Sequence, residues 1–343
     1  VQGVPLLYAA NARSNADAIY AYLDGGFVRV YSSRLGSVVP SVALVADVSG
    51  DGRDDLVVGS AAAGKVYVTL QRPGDDLSDR PWDYELDVGV GFSGLTVADV
   101  TGDGRADIVF TEPLSGTVGV RANDPAAPFA RQLRFRAGEG LVAVTVTGMT
   151  SLDTPVALAV GHFDADAIPD VAVLNRGSRE VTVLRGAGSG GLFNPVPLAS
   201  LRTGLDPVSI LAVDFNRDGY TDLAVLNRGD ADVSIFLSDG RGGFVEKLGL
   251  GSDGRPARAA AGGDPTGMTA IDLNGDGFPG LRISSPTGDV LALLGNGDGT
   301  FRPYERLDPR VALAVSDQDG QAEFALASRT TDRVEIQTAD SAP

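Results

Sequence analysis

The sequence contains no cysteine, only one histidine and one tryptophan, and few basic residues. Without cysteine the protein can form no disulfide, thiolate nucleophile or cysteine-ligated zinc site. No apolar stretch approaches the ~20 residues that a membrane-spanning helix needs, so we expect no membrane span. Lys and Arg number 28 against 45 Asp and Glu, which gives a formal net charge of −17 at pH 7. Because phosphate binding needs a basic surface, this balance argues against a nucleic-acid partner.

A short acidic loop, in contrast, is abundant and recurs six times. Its first positions are residues 47, 99, 162, 214, 272 and 315, so the intervals are 52, 63, 52, 58 and 43 residues. A repeat in this range indicates a propeller, a solenoid or an array. The six copies are Asp47–Asp55, Asp99–Asp107, His162–Asp170, Asp214–Asp222, Asp272–Gly280 and Val315–Glu323.

Apolar runs of four to six residues flank each loop, as at 42–46, 55–58 and 65–70. They are rich in β-branched residues and bounded by Gly, Asp, Asn and Pro, which is typical of strands. No stretch has the length and the 3.6-residue period of a helix. We therefore predict an all-β fold, a seven-bladed β-propeller of four-stranded antiparallel blades, as a single domain over residues 1–343. Six blades, with an N-terminal strand completing the last blade, is the alternative.

The units at the two ends of the chain are incomplete. Residues 6–31 supply three strands but no first strand and no acidic loop, and residues 311–337 supply three strands but no fourth. The segment from Glu139 to Pro155 is either an insertion or an extra pair of strands. The count of blades depends on how these segments are assigned.

Oxygen-bearing side chains recur at positions 1, 3, 5 and 9 of the loop, and glycine occupies position 6 in five of six copies. Hard oxygen ligands at this density suit Ca²⁺, and the glycine permits a sharp reversal of the backbone. The loops from Asp47, Asp99 and Asp214 are complete, and the position-7 carbonyl adds a fifth ligand. The loop from Asp272 has Gly280 in place of the last carboxylate. The predicted calcium ligands are Asp47, Ser49, Asp51, Arg53, Asp55, Asp99, Thr101, Asp103, Arg105, Asp107, Asp214, Asn216, Asp218, Tyr220, Asp222, Asp272, Asn274 and Asp276.

Two loops depart further from the pattern. The third loop has His162 at position 1 and Ala167 at position 6. Either His162 binds a transition metal with neighbouring carboxylates, or it replaces an aspartate in a loop that has lost its ion. A single histidine in the chain favours the second interpretation. The sixth loop begins with Val315, and we expect it to hold no ion.

The segment Asp51-Gly-Arg-Asp-Asp-Leu-Val-Val-Gly59 and its equivalents resemble the FG-GAP repeat of integrin α-subunit propellers. The units at 162–193 and 214–244 are more similar to the bacterial VCBS-type variant, with Asp-Leu-Ala-Val-Leu-Asn-Arg-Gly and a glycine-rich hairpin ending in Phe. The resemblance covers nearly the whole chain. It implies a calcium-dependent β-propeller, usually extracellular or at the cell surface, that is used for binding and adhesion.

The predicted function is a non-enzymatic, calcium-stabilised binding or adhesion scaffold for a protein or glycan partner. We expect an exported protein, extracellular, at the cell surface or periplasmic, and the start at Val1 suggests a processed or trimmed chain. A role as one subunit of a larger surface assembly is compatible with the incomplete first unit. The alternative function is a propeller-based polysaccharide lyase or glycoside hydrolase, because paired carboxylates can perform glycoside chemistry.

Two local features allow more than one interpretation. The tripeptide Arg228-Gly-Asp230 matches an integrin-ligand motif, yet Asn-Arg-Gly also occurs at 175–177, which favours a simple turn between two strands. Trp82 either stacks on a sugar ring or covers the surface of its blade.

Overall fold

The computed structural model describes residues 6–11, 16–23, 26–34, 40–72, 82–138, 142–145, 148–151, 153–187, 199–250, 256–286, 290–307, 311–316, 323–327 and 334–338. Side-chain positions are described for residues 40–72, 82–138, 153–187, 200–250, 257–286 and 290–304. Strands, turns and bends make up these ranges, and no helix occurs in them. The all-β prediction is therefore confirmed for the described chain.

Strands of the first half follow one another with short connections. They are β1 (Leu6–Asn11), β2 (Ala16–Leu23), β3 (Gly26–Arg34), β4 (Val42–Ala46), β5 (Asp55–Ser60), β6 (Lys65–Thr69), β7 (Tyr84–Asp87), β8 (Leu95–Ala98), β9 (Asp107–Glu112), β10 (Thr117–Asp124), β11 (Ala127–Arg136), β12 (Val142–Thr145), β13 (Gly148–Ser151) and β14 (Pro155–Gly161).

Strands of the second half repeat the same rhythm. They are β15 (Asp170–Asn175), β16 (Glu180–Leu184), β17 (Ala199–Arg202), β18 (Pro207–Val213), β19 (Asp222–Asn227), β20 (Asp232–Ser238), β21 (Phe244–Lys247), β22 (Gly249–Leu250), β23 (Pro256–Ala257), β24 (Ala259–Ala260), β25 (Gly267–Ile271), β26 (Gly280–Ser284), β27 (Val290–Leu293), β28 (Glu305–Leu307), β29 (Val311–Ser316), β30 (Glu323–Ala327) and β31 (Val334–Thr338).

Within the described residues these strands form seven antiparallel sheets of three to five strands, six of them simple meanders in chain order, and a short separate pair, β22 with β23. The first sheet (β1–β3) and the last (β29–β31) have three strands, as the sequence predicted for the incomplete units. In the sheet that begins with β18, both β21 and β24 pair with β20, so an insertion splits the fourth strand into two pieces. The strands β12 and β13 pair with each other, so the segment from Glu139 to Pro155 contains the extra pair of strands that was one of its two predicted alternatives. Whether the propeller counts six or seven blades stays a prediction.

The chain divides into two compact units. Unit 1 comprises Val1–Leu158 with Gly186–Pro195, and unit 2 comprises Ala159–Arg185 with Val196–Pro343. The boundary falls within β14. The prediction of one domain over residues 1–343 stays a prediction.

Each unit has its own apolar core between neighbouring sheets. Where burial is described, the middle strands of the sheets are the most buried, and β5, β15, β16, β19 and β27 are buried along their whole lengths. Such strands are covered on both faces, so their sequences are continuous apolar runs without alternation. In unit 1, Val57, Ile108 and Phe110 belong to one core cluster. In unit 2 the corresponding cluster includes residues such as Leu226, Leu281 and Ile283.

No helix with the length and apolar character of a membrane span is found among the described residues.

Candidate metal-binding loops

Each acidic loop connects the first and second strands of its sheet. The strand register closes the loop with fixed pairs: Ala46 faces Asp55, Ala98 faces Asp107, Val213 faces Asp222 and Ile271 faces Gly280. Position 9 is therefore also the first residue of the second strand. This shared register means that the four loops have comparable geometry.

The carboxylate at position 9 fastens the loop to its sheet. In the first loop, Asp55 Oδ2 accepts the backbone N–H groups of Val48 at 2.9 Å and Ser49 at 2.8 Å. Its Oδ1 accepts the N–H of Gln71, just beyond the third strand, at 2.8 Å. One buried carboxylate thus satisfies three amides from two segments of the backbone, which would otherwise be costly to bury.

The same arrangement recurs in the other loops that have aspartate at position 9. The four aspartates Asp55, Asp107, Asp170 and Asp222 are at most 1% exposed. The further hydrogen bonds run from the amides of Val100, Thr101 and Asn123 to Asp107, from Phe163 to Asp170, and from Phe215 and Ser238 to Asp222. The sequence predicted position 9 only as a calcium ligand. That ligand role stays a prediction, and the structure adds a clamp that the spacing did not indicate.

Burial raises the pKa of these carboxyl groups, and the amide hydrogen bonds oppose the effect. For Asp55 and Asp107 burial dominates, so their pKa values are raised above the ordinary value. For Asp222, burial together with the negative charges of Asp218 and Asp214 raises the pKa to about 6, against hydrogen bonds from the backbone. The acidic side chains of this loop therefore repel one another when no cation lies near them.

The aspartate at position 1 organises the turn itself. Asp47 Oδ1 accepts the N–H groups of Gly50 at 2.7 Å and Asp51 at 3.2 Å, while its Oδ2 accepts that of Gly52 at 2.8 Å. Burial raises the pKa of Asp47, but these hydrogen bonds outweigh it, and the pKa is lowered. In the other three loops, backbone N–H groups of the same loop likewise donate to the carboxylate at position 1, which belongs to Asp99, Asp214 or Asp272.

Glycine at position 6 adopts the backbone conformation that the sequence analysis required. The φ angles of Gly52, Gly104, Gly219 and Gly277 lie between 81° and 90°, in the left-handed region that other residues avoid. The amide of this glycine points at the position-1 carboxylate. The predicted reversal at position 6 is thereby explained.

Oxygen atoms at positions 3 and 5 complete the candidate donor set. Position-5 aspartates accept the N–H of position 7 in all four loops, at 2.9 to 3.0 Å. In unit 2, Asn216 Nδ2 donates to Asp218 Oδ2 at 2.8 Å, and Asn274 donates to Asp276 at the same distance. These carboxylate, amide and hydroxyl oxygens are chemically suited to Ca²⁺. Their side chains are nevertheless engaged within the loop, and the described residues contain no converged group of three or more His, Cys, Asp or Glu side chains.

Steric crowding explains why position 9 of the fifth loop is a glycine, Gly280. A Cβ atom there would lie 2.7 Å from the carbonyl oxygen of Leu293 and 3.1 Å from that of Ile271. No aspartate fits without moving a strand, so this loop lacks the clamp as well as the fourth carboxylate. The ligand roles predicted for Asp272, Asn274 and Asp276 stay predictions.

The third loop carries an arginine at its carboxylates. Arg185 Nε lies 2.7 Å from Asp164 Oδ2, in an ion pair whose angle is outside the range of a hydrogen bond. Arg185 Nη2 donates to Asp166 Oδ2 at 3.2 Å. His162 is exposed. The sixth loop, from Val315, lies mostly outside the described residues.

Aromatic residues at position 7 in unit 2 form a contact that the sequence analysis missed. The ring of Tyr220 packs over Gly240, and the ring of Phe278 packs over Gly297, so close that a Cβ on either glycine would lie within 2.4 Å of ring carbons. Both glycines belong to the hairpin between the third and fourth strands. The signal was present in the sequence, because an aromatic position 7 and an Asp-Gly or Asn-Gly hairpin occur together in these two units.

In three loops the residue at position 2 contacts the following sheet within its unit. In unit 2, Phe163 lies 5.6 Å from Phe244 and Phe215 lies 5.8 Å from Phe301, measured between ring centroids. In unit 1, Asn123 Nδ2 donates to the carbonyl oxygen of Val48 at 2.7 Å. The hairpin phenylalanines of the sequence motif therefore pack on the preceding loop.

The Arg-Gly-Asp tripeptide binds the connection between β17 and β18. Arg228 Nη2 pairs with Asp206 Oδ2 at 2.7 Å, and Arg176 also pairs with Asp206. Asp230 Oδ2 accepts the N–H of Leu205 at 2.7 Å. Both charged groups of the tripeptide have partners in the protein, which supports the interpretation as a turn.

Trp82 packs on the third strand of its sheet. Its ring lies 5.0 Å from that of Tyr67, and Tyr67 is 5% exposed beneath it. This contact agrees with Trp82 covering the surface of its blade.

Comparison with known proteins identifies the fold. The structure is similar to that of BBS1N in complex with ARL6DN, with 12% identity over 100% of this chain and 90% of that chain and a TM-score of 0.61. It is also similar to a lectin of Agrocybe aegerita that recognises non-reducing terminal N-acetylglucosamine, with 19% identity over 88% of this chain and 79% of that chain and a TM-score of 0.56. The blade-like sheets and these similarities confirm a β-propeller fold.

The model of the FG-GAP-like repeat matches residues 47–110, 162–225 and 214–281, more than half of the chain. Each matched segment begins at the first position of an acidic loop and ends in the second strand of the following sheet. The chain belongs to the FG-GAP-like repeat family, as the resemblance predicted.

Proposed function

We propose that this protein is a calcium-stabilised, non-enzymatic scaffold that binds a protein or glycan partner. The main support is the repeated loop: in four copies the position-1 carboxylate accepts the amide of a left-handed glycine at position 6, and oxygen-bearing residues occupy positions 3 and 5. Bound calcium would neutralise carboxylates that otherwise repel one another, as those of Asp214, Asp218 and Asp222 do. The ligands are those predicted above for the loops from Asp47, Asp99, Asp214 and Asp272.

Two similar structures support the proposed class of partner. One similar structure is a complex with a protein, and the other is a lectin that recognises a terminal sugar. Propellers present loops from a rigid framework, and such loops are common sites of recognition. An exported location and assembly with other surface proteins are consistent with the family, and we include both in the proposal.

Thermal unfolding with excess calcium and with EDTA tests the stabilising role. A site that is saturated at one hundred times its dissociation constant adds about 2.7 kcal/mol to the free energy of unfolding. We expect the wild-type protein to have a higher Tm in calcium than in EDTA. Native mass spectrometry of Asp103→Asn should show one bound calcium ion fewer than the wild type. Asp87→Asn, which changes an exposed aspartate outside the loops, is the matched control. Equal Tm values in calcium and EDTA would contradict the proposal.

A glycan array tests the recognition role and the alternative function together. Retention of a glycan without shortened products, or saturable binding of a purified surface protein, supports the scaffold. Release of shortened or unsaturated sugars would instead indicate a glycoside hydrolase or a polysaccharide lyase.

A further inference from the structure

The third loop differs from the four regular loops at position 1, a predicted metal ligand, and at position 6, where the backbone reverses. His162 replaces the aspartate that gathers the loop amides, and Ala167 replaces the left-handed glycine. The carboxylates of Asp164, Asp166 and Asp170 remain. Three negative charges without a cation would repel one another at close range.

A guanidinium group lies against two of these carboxylates. Arg185 contacts Asp164 at 2.7 Å and Asp166 at 3.2 Å through different nitrogen atoms. The Asp164 side chain is only 7% exposed, so its charge is poorly solvated and needs a nearby cation. One planar group that faces two carboxylates suits arginine better than lysine.

The position of Arg185 holds an apolar side chain in three of the four regular loops. Arg185 follows the position-9 residue Asp170 by 15 residues, and the residues at the same offset in three other loops are Leu70, Ala122 and Leu237. The arginine therefore occurs in the loop that has lost its first aspartate and its glycine.

We propose that the guanidinium group of Arg185 takes the place of a metal ion in the loop at residues 162–170, which keeps its shape without calcium. The contrast with the other loops depends on the proposed function, but the contacts of Arg185 do not. Withdrawal of calcium would then loosen the regular loops and leave this one folded.

Stability measured in EDTA tests the role of the arginine directly. We expect Arg185→Leu, which introduces the residue found at positions 70 and 237, to lower the Tm by about 1–3 °C. Arg185→Lys should recover part of the loss. Arg185→Leu combined with Asp166→Asn should lose less than the sum of the single variants, because the two residues interact. An unchanged Tm in Arg185→Leu, or additive losses, would overturn the proposal.

Calcium stoichiometry and hydrogen exchange provide the second test. Asp166→Asn should leave the number of bound calcium ions unchanged, whereas Asp218→Asn at the same position of the fourth loop should remove one. EDTA should accelerate amide exchange in residues 214–222 but not in 162–170. Loss of one ion in Asp166→Asn would overturn the proposal. If the wild-type protein binds no calcium, the proposed function fails, and the Tm measurements in EDTA still decide the role of Arg185.

Discussion

The loops of unit 1 and unit 2 share their acidic pattern but differ in what supports them. Loops from Asp47 and Asp99 have arginine at position 7 and valine at position 2. Loops from Asp214 and Asp272 have an aromatic residue at position 7, and Phe215 packs edge-on against Phe301. Positions 1, 3 and 5 thus carry oxygen in both units, although the side chains that hold the loop against its sheet differ.

The loops contact their sheets differently in the two units because the hairpins after the third strand differ. A glycine-rich hairpin follows the third strand in unit 2, and its glycines leave space for the rings of Tyr220 and Phe278. In unit 1, Arg53 instead pairs with Asp51 and donates to the carbonyl oxygen of Gln71 at 3.4 Å. We expect the loops of unit 2 to owe more of their stability to apolar packing.

The largest expected difference concerns position 2. Phe215→Ala should lower the free energy of unfolding by about 3–5 kcal/mol, because it removes a ring that is 2% exposed. Val100→Ala in unit 1 should cost about 2 kcal/mol, since it removes fewer buried carbons. Urea denaturation of both variants in EDTA measures the difference. Equal losses of free energy of unfolding would show that position 2 contributes equally in the two units.

The clamp at position 9 should matter equally in both units. Asp107→Ala removes the acceptor of the buried Thr101 and Asn123 amides and leaves the Val100 amide only the carbonyl oxygen of Ala98, so we expect a loss of about 3 kcal/mol. Asp222→Ala should cost a similar amount. Measurement in EDTA separates this effect from calcium binding. A loss confined to one unit would break the similarity between the clamps.

The contact between the aromatic ring and the hairpin is specific to unit 2. Gly240→Ala adds a Cβ that meets the Tyr220 ring at 2.1 Å, at a glycine with φ of 65°, and should cost about 2–3 kcal/mol. Gly91→Ala in unit 1 is the control, because φ is 79° but nothing lies within 4 Å. It should cost only about 1 kcal/mol, from backbone strain alone. If Tyr220→Ala fails to reduce the cost of Gly240→Ala, the ring is not the cause.

The smallest expected effect concerns the contact between two neighbouring loops of unit 2. Arg217 lies over the Phe278 ring, 5.4 Å from its centroid, and has a left-handed φ of 59°. Arg217→Ala should cost about 0.5–1 kcal/mol through the lost cation–π contact. Arg217→Gly introduces the residue that the other three regular loops have at position 4, as Gly50, Gly102 and Gly275. Relief of the backbone strain at the left-handed φ angle should offset the lost cation–π contact. A larger loss in Arg217→Gly than in Arg217→Ala would refute this balance.

Much of the fold could be predicted because the same short pattern of strands and acidic loop recurs along the sequence. Period, strand chemistry and the acidic loops predicted the sheets and the incomplete end units, and offered the extra strand pair near residues 142–151 as one of two alternatives. The candidate site was predictable only in part. Position 6 requires a left-handed residue, so Gly52 and its equivalents were informative, whereas the clamp by Asp55 depends on Gln71, which is distant in sequence.

The sequence by itself determined the family, the strand-rich fold and the recurring oxygen atoms, because all three are encoded within nine-residue loops and their flanking runs. Only the tertiary structure decided which neighbours those loops have. Gly280 is excluded from carrying a carboxylate by the carbonyl of Leu293, and Arg185 reaches Asp164 and Asp166 from the end of another strand. Such contacts join residues whose separation along the chain is set by strand register, and register becomes defined when the sheets pack.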